Sequence, residues 1–239
     1  MISLCITHYN RPEMLSESFM GVLTDERLSE IVIVDDCSDA GKSPMDIWEH
    51  LPDKVKIHRN AKNLGCYANK REAVSKAENE WVILFDSDNI LDTAYIDRIE
   101  NLLIAGVNRK TLYQPEFARP HFNFNEFSGV NFTRENVGRH ASHSVTFCTM
   151  LNAMNYFVHR DEYLRVWENR TEPWTADSLL QNYNWLNAGN SIYVVPGLSY
   201  EHRIHEGSHY KAHNRKTESA GSNGRNLYTE LVGKLKLLS

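Results

Sequence analysis

Short apolar runs alternate with polar, helix-favouring stretches along the first hundred residues. Ile2-Ser3-Leu4-Cys5-Ile6 is the first run, and polar residues and Pro12 break it. Pro12 suits the first turn of a helix reaching about Gly21, because its fixed φ is helical and its missing N–H would find no partner there. Glu30-Ile31-Val32-Ile33-Val34-Asp35 is β-branched at its centre, the pattern of a strand buried on both faces. A turn at Ser38-Asp39-Ala40-Gly41 then leads to a helix predicted over Met45–His50, and Val55-Lys56-Ile57 makes a third strand. Asn69–Ala77 has helical composition. Trp81-Val82-Ile83-Leu84-Phe85 is a fourth strand running directly into Asp86. Thr93–Ile104 shows Ile96, Ile99, Leu102 and Leu103 on one helical face.

This alternation predicts an α/β fold with right-handed crossovers and a mostly parallel, Rossmann-like sheet flanked by helices. Ligands of such sheets bind outside the carboxyl ends of the strands. The polar clusters fall there: Thr7-His8-Tyr9 after the first strand, Asp35-Asp36 after the second, Asp86-Ser87-Asp88 after the fourth. Three strands therefore aim polar side chains at one crevice. The second half is less regular. Residues 115–147 show little periodicity and read as a substrate-facing region or an irregular mixed-sheet extension. Thr175–Leu186 predicts a helix stopped by Gly189, and Ser191–Val195 a strand closed by Pro196-Gly197. Residues 201–226 are polar and read as mobile, and Leu227–Leu238 forms a short amphipathic helix. With no repeat and no linker, residues 1–239 read as one domain: a ligand-binding half (1–105), a second half (106–226) and the final helix (227–239).

Composition narrows the function classes. A hydrophobic share of 41% and a charged share of 24% are ordinary for a globular protein. The net charge of −5 argues against nucleic-acid binding. The cysteines at 5, 37, 66 and 148 match neither a zinc site nor a disulfide framework, so they read as free thiols in a reducing compartment. The polar run His8-Tyr9-Asn10-Arg11 interrupts any signal-peptide core, and no stretch approaches the ~20 apolar residues of a membrane span. A cytoplasmic location is the expectation. The last helix, carrying Lys234 and Lys236, is compatible with peripheral membrane contact, but docking onto the domain is the preferred reading for so short a segment.

The candidate chemistry sits at Asp86-Ser87-Asp88. Alternate residues of an extended chain share a face, so both carboxylates are expected to reach one centre. Hard oxygen ligands suit Mg²⁺ or Mn²⁺ completed by substrate phosphates and water. Such an ion would neutralise a diphosphate leaving group.

Four segments carry a family resemblance: Ile2–Pro12 (ISLCITHYNRP), Ile31–Gly41 (IVIVDDCSDAG), Asn63–Ala77 (NLGCYANKREAVSKA) and Trp81–Asn89 (WVILFDSDN). In order and spacing they resemble a family-2 glycosyltransferase of the GT-A fold. Ala176–Gly189 followed by Tyr193–Pro196 resembles the family's acceptor-side helix and strand, and Arg203-Ile204-His205-Glu206-Gly207-Ser208 its Arg-x-His-x-x-Ser segment. The resemblance implies a nucleoside-diphosphate sugar as donor, a glycan or other hydroxyl as acceptor, and inversion at the transferred sugar. It places Thr7, Tyr9, Arg11, Asn63 and Ser87 beside the nucleotide. Asp36 would accept from the base's imide N–H, favouring UDP or dTDP, and Arg71 would reach the base or diphosphate. Asp86 would meet the ribose or a metal-bound water, Asp88 would bind the metal directly, and His205 would add a third contact. Asp177 would be the general base. Many members carry Glu-Asp where this chain has Ala176-Asp177-Ser178, and ungapped counting from Gly189 puts the base on Ser178.

Plainer roles stand beside these. Asp35 reads as a strand terminator bonded to loop amides, and Asp177 as a helix cap. Arg71 could pair with Glu72 or Glu78, His205 could be a solvated histidine, and Trp174 and Trp185 suit packing. Phe122, Phe124, Asn152 and Asn155 are candidate sugar contacts by composition and position alone. Two other functions compete: a phosphohydrolase with Asp86 as nucleophile and Asp88 as acid/base, and a nucleotide-sugar-binding module without catalysis. The phosphohydrolase pattern generally wants Thr or Val where this chain has Ile90, and places its motif on the first strand.

Overall fold

The regular first half folds as four strands joined by helices in a computed structural model that describes residues 1–170, 176–205 and 223–238. The strands are β1 (Ile2–His8), β2 (Leu28–Asp35), β3 (Val55–Arg59) and β4 (Trp81–Asp86). The helices are α1 (Pro12–Met20), α2 (Pro44–Ile47), α3 (Cys66–Lys76) and α4 (Thr93–Ala105). Strands β1 to β4 pair in parallel in the order β3-β2-β1-β4. Their side chains alternate between two cores: Leu4, Ile6, Ile31, Ile33, Ile83 and Phe85 face one, and Cys5, Val32, Val34, Val82 and Leu84 the other. Both faces are covered, which is why these runs read as continuously apolar. Each such buried side chain contributes about 1.5–3 kcal/mol relative to exposure.

Two boundaries differ from the sequence pattern for visible reasons. The helix expected over Met45–His50 is only Pro44–Ile47, because Trp48 leaves it in an extended conformation and its ring packs edge-on against Phe19 at 5.7 Å. The helix expected from Asn69 begins three residues earlier at Cys66, after Gly65 at φ +82°. That left-handed backbone is one glycine adopts readily.

The second half holds more regular structure than its pattern suggested. It contains β5 (Thr111–Arg119), β6 (Phe122–Asn123), a short 3₁₀ turn (Asn125–Phe127), β7 (Asn131–Phe132), α5 (Arg134–His143) and α6 (Val145–Leu151). Then follow β8 (Phe157–His159), α7 (Arg160–Val166), α8 (Asp177–Asn187), β9 (Ser191–Glu201) and α9 (Asn223–Lys236). These strands extend the sheet to β3-β2-β1-β4-β8-β5-β9-β7, with β6 added on β5. The short β8 is antiparallel to both β4 and β5, while β5 and β9 are parallel.

The strand expected to close at Pro196-Gly197 instead runs through them to Glu201. A register shift against β5 absorbs the pair: Gly197 sits at φ +75° and its N–H donates to Glu116 Oε2 at 2.6 Å. This is how a bulge lets a strand pass residues that would otherwise stop it. Continuing β9 matters for the site, because Glu201 exchanges backbone hydrogen bonds with Ile90 just beyond β4.

Helix α9 docks on α5 and α8 through Leu227, Leu231 and Leu235. Trp185 is fully buried and donates to Ser191 O at 2.7 Å, a packing role. Among the described residues no helix is long and apolar enough to cross a membrane.

The buried carboxylate of Glu162 on α7 ties this half together, accepting from Arg165 Nε at 2.9 Å and Asn190 Nδ2 at 2.7 Å. The Arg165 hydrogen bond holds its carboxyl below the ordinary 4.5, against the opposing effect of burial. A depressed folded pKa gives stability that is fully present above the unfolded value and lost as pH falls through the folded one. Glu162→Gln should therefore cost stability at pH 7, and the gap to the parent should narrow below about pH 4.5. Urea titrations at pH 7 and pH 3.5 measure it (~1–3 kcal/mol at neutral pH). A gap that does not change with pH would overturn the assignment.

Candidate active site

The parallel register of β1, β2 and β4 dictates what meets at their carboxyl ends. Thr7 lies opposite Asp86, and His8 opposite Asp35. Around these tips opens a cleft of about 740 Å³, whose lining includes Thr7, Tyr9, Arg11, Asp36, Asn63, Asp86, Ser87, Asp88 and Asp177. One cleft thus gathers nearly all the residues singled out from the sequence. His205 reaches it through Asp88.

At the β2 tip the two aspartates have separate jobs. Asp35 is buried and accepts from Ser38 N at 3.0 Å and Arg59 Nη1 at 2.7 Å, the structural role expected of it. Asp36 receives Asn60 Nδ2 at 2.9 Å and Leu64 N at 2.8 Å on Oδ1, and Gly65 N at 2.9 Å on Oδ2. A carboxylate oxygen accepts about two hydrogen bonds, so Oδ2 retains capacity for a ligand donor. Burial pushes the Asp36 carboxyl up, and the loop amides oppose that. Asn63 helps shape the same loop by accepting Gly65 N at 3.0 Å. Tyr9 stands at the rim, 40% exposed.

The two carboxylates of Asp86-Ser87-Asp88 line the same cleft and meet different protein partners. The strand ends at Asp86 and the chain turns, with Asn89 N donating to Asp86 O at 3.1 Å, so the extended geometry assumed from the sequence stops one residue too soon. Asp86 accepts from Thr7 Oγ1 at 3.2 Å and faces Lys70 Nζ at 3.6 Å. Asp88 Oδ2 lies 2.6 Å from Arg11 Nη1 and 3.2 Å from His205 Nε2. Among the described residues no three His, Cys, Asp or Glu side chains are grouped to hold a metal. Ser87 is buried, and its N–H bonds Thr7 O at 3.2 Å.

The electrostatics separate this pair. Burial pushes the Asp86 carboxyl up, more than Lys70 can offset. Burial also works on Asp88, but the His205 hydrogen bond and the Arg11 charge outweigh it and hold that carboxyl low. Asp88 is therefore a committed anion.

His205 arrives through its neighbour Arg203. Arg203 Nε donates to Asp88 O at 2.6 Å and Nη2 to Met14 O at 2.8 Å, and its Nη1 pairs with Glu17. These bonds pin the segment after β9 onto the motif loop and α1. The rest of the family-like segment, Glu206-Gly207-Ser208, lies outside the described residues, as does Trp174.

Asp177 opens α8 and its Oδ2 lies 2.5 Å from Lys70 Nζ. Ser178, the other position the resemblance suggested for the base, is buried and also lines the cleft. Lys70 was not foreseen. It is buried and bridges Asp177 and Asp86, which holds its ammonium well above the ordinary lysine range despite burial. The signal for it was available: a helix starting at Cys66 puts Tyr67, Lys70 and Val74 on the sheet-facing stripe. The same turn sends Arg71 outward, where it pairs with Glu72 at 2.7 Å and lies over the Trp167 ring at 5.1 Å, away from the cleft lining.

Asn155, a candidate sugar contact by composition and position, holds the backbone of the site. Held at φ +70°, it accepts Asp86 N on Oδ1 at 2.8 Å and Tyr95 Oη on its carbonyl at 2.7 Å. Phe122 and Asn152 line the cleft, whereas Phe124 is buried in the core. His202 and Tyr228 of α9 complete the second half's wall.

Comparison with known proteins gives the family and the fold. The family profile described as Glycosyl transferase family 2 matches residues 3–154, more than half of the chain. Abequosyltransferase RfbV of Salmonella typhimurium is 35% identical over 96 residues, which are 38% of this chain and 29% of that protein. Among solved structures, S. aureus TarS 1-349 in complex with UDP-GlcNAc superimposes with a TM-score of 0.71 at 16% identity, over 99% of this chain and 66% of that one. The mannosyltransferase PcManGT from Pyrobaculum calidifontis, in complex with GDP-Man and Mn²⁺, gives 0.62 at 13% identity, over 99% of this chain and 69% of that one. At such identities these superpositions show a shared GT-A fold, and the chain spans under two thirds of the RfbV and TarS lengths. The phosphohydrolase alternative finds no support in them. With more than half its length matched, the chain belongs to glycosyl transferase family 2.

Proposed function

We propose that this chain transfers a sugar from a nucleoside-diphosphate sugar, UDP- or dTDP-linked, to a hydroxyl of a glycan or other acceptor, with inversion. The observation that carries the reading is a single cleft lined by Asp36, by Asp88 paired with Arg11, and by Asp86 and Asp177 joined through Lys70. Asp36 Oδ2 suits a base N–H donor. Arg11 and Lys70 suit a diphosphate, which needs cations close by. The nucleotide sugars named in the TarS and PcManGT structures support a donor of this class.

The donor set also fits a divalent ion. Asp88 Oδ2 and His205 Nε2 are 3.2 Å apart, near the ~3 Å expected between adjacent ligands at ~2.1 Å from one octahedral ion. Mn²⁺ or Mg²⁺ held by Asp88 and His205 would neutralise the leaving diphosphate. The protein's own part is positional. Asp36 fixes the base, Thr7 and Asn155 hold Asp86, and Asp177 takes the proton of the acceptor hydroxyl as its oxygen attacks the anomeric carbon. The bond from that carbon to the diphosphate oxygen breaks on the opposite side, and in-line attack inverts the configuration.

Thermal unfolding with UDP-, dTDP-, GDP- and CMP-sugars, each with Mn²⁺ and with EDTA, tests this. A ligand at a hundred times its Kd stabilises the native state by about 2.7 kcal/mol, roughly 5–10 °C for a domain of this size. The expected result is such a shift with UDP- or dTDP-sugars that EDTA abolishes. No shift with any donor would overturn the proposal.

A further inference from the structure

We infer that Arg11 is a built-in cation on the metal-binding carboxylate, which keeps Asp88 from holding a divalent ion until a nucleoside diphosphate draws the guanidinium away. The inference rests on the metal reading proposed above and adds an order of binding to it. Arg11 Nη1 and His205 Nε2 both meet the same oxygen, Asp88 Oδ2, at 2.6 and 3.2 Å. An ion taking that oxygen must displace the guanidinium or sit against its positive charge, and such repulsion is weakly screened in a half-buried site. The Arg11 and Asp88 side chains are only 22% and 19% exposed.

The backbone around Arg11 is fixed while its side chain spans the cleft. Asn10 is held at φ +56°, its N–H bonds Ser38 Oγ at 2.8 Å, and its side chain exchanges two hydrogen bonds with Asp39. Pro12 starts α1 immediately after. Release of Asp88 is thus a rotamer change of one long side chain, with no loop movement. Asp86 differs in having a cation, Lys70 Nζ, at 3.6 Å, which it shares with Asp177. Metal and nucleotide then bind with positive coupling, because each removes an obstacle to the other.

Mn²⁺ titrations of the full chain, followed by the electron paramagnetic resonance of free Mn²⁺ without nucleotide, test the inference without any turnover. Arg11→Met should bind Mn²⁺ on the order of tenfold tighter than the parent, in line with the effect of groups around metal ligands on affinity. Arg11→Lys should stay near the parent. Adding UDP should tighten Mn²⁺ binding in the parent and do so much less in Arg11→Met. The Arg11→Met, Asp88→Asn double variant should lose the gain, and circular dichroism confirms that each variant is folded. Arg11→Gln serves as a second neutral variant if Arg11→Met does not fold. Equal or weaker Mn²⁺ binding in the neutral variants, or a gain that survives Asp88→Asn, would overturn the inference while leaving a metal site intact. No Mn²⁺ binding by any protein, with or without UDP, would overturn both readings.

Discussion

Asp177→Asn is expected to lower kcat for sugar transfer by about 10²–10⁴-fold, the usual contribution of a positioned general base. The amide keeps the shape and the helix-opening position but cannot take a proton. Asp177 stands on α8 and pairs with Lys70, whereas Asp36 is held by Asn60, Leu64 and Gly65, and Asp88 by Arg11 and His205. Donor binding should therefore survive, and the thermal shift with donor and Mn²⁺ should match the parent's. That combination separates a lost base from a lost site. The amide oxygen can still accept from Lys70, which also faces Asp86 at 3.6 Å, so the fold has no new unpaired cation. Near-full transfer would remove Asp177 from the role and direct attention to Asp86 and His202, other titratable groups lining the cleft.

What could be read in advance, and what could not, follows from how far each feature depends on distant contacts. β1, β2 and β4 were legible because strands buried on both faces must be continuously apolar, and each ends in the polar residues that line the cleft. Asp36, Asp88 and Asp177 were found because strand tips and helix starts are visible in the chain itself. Lys70 was missed through a boundary. Starting the helix at Asn69 hides the phase that turns Lys70 inward and Arg71 out, and only Gly65 marks the true start. The turn that follows Asp86 was hidden because a turn after a strand looks, in sequence, like more strand. The long β9 was hidden because Pro196-Gly197 ends strands by local rules, and the bulge that rescues it depends on Glu116, eighty-one positions away. β8, at three residues, is too short to show a period at all.

Lys70→Met should damage both the fold and the chemistry, and the two losses should separate with pH. Removing the ammonium leaves Asp86 and Asp177 repelling one another, with Asp88 adding to the effect on Asp86. Breaking a buried pair costs about 3–5 kcal/mol. The Asp86 side chain is 31% exposed and water offsets part of this, so about 2–3 kcal/mol is expected here. Transfer should fall by roughly 10²-fold or more, the effect of a misplaced reacting group. Burial already pushes the Asp86 carboxyl up in the parent, with Lys70 opposing it, so the variant's carboxyl goes higher still. A carboxyl raised in the folded state gives stability below its unfolded pKa that is lost as pH rises through the folded one. The gap between parent and variant should therefore be small near pH 4 and widen towards pH 7, opposite in mechanism to a lost packing contact, which would not titrate. Urea titrations at the two pH values measure this, and Lys70→Arg should recover most of the stability because it restores the charge. A variant equally destabilised at both pH values would show that Lys70 matters for its stem alone, and full transfer by Lys70→Met would remove it from the site's working parts.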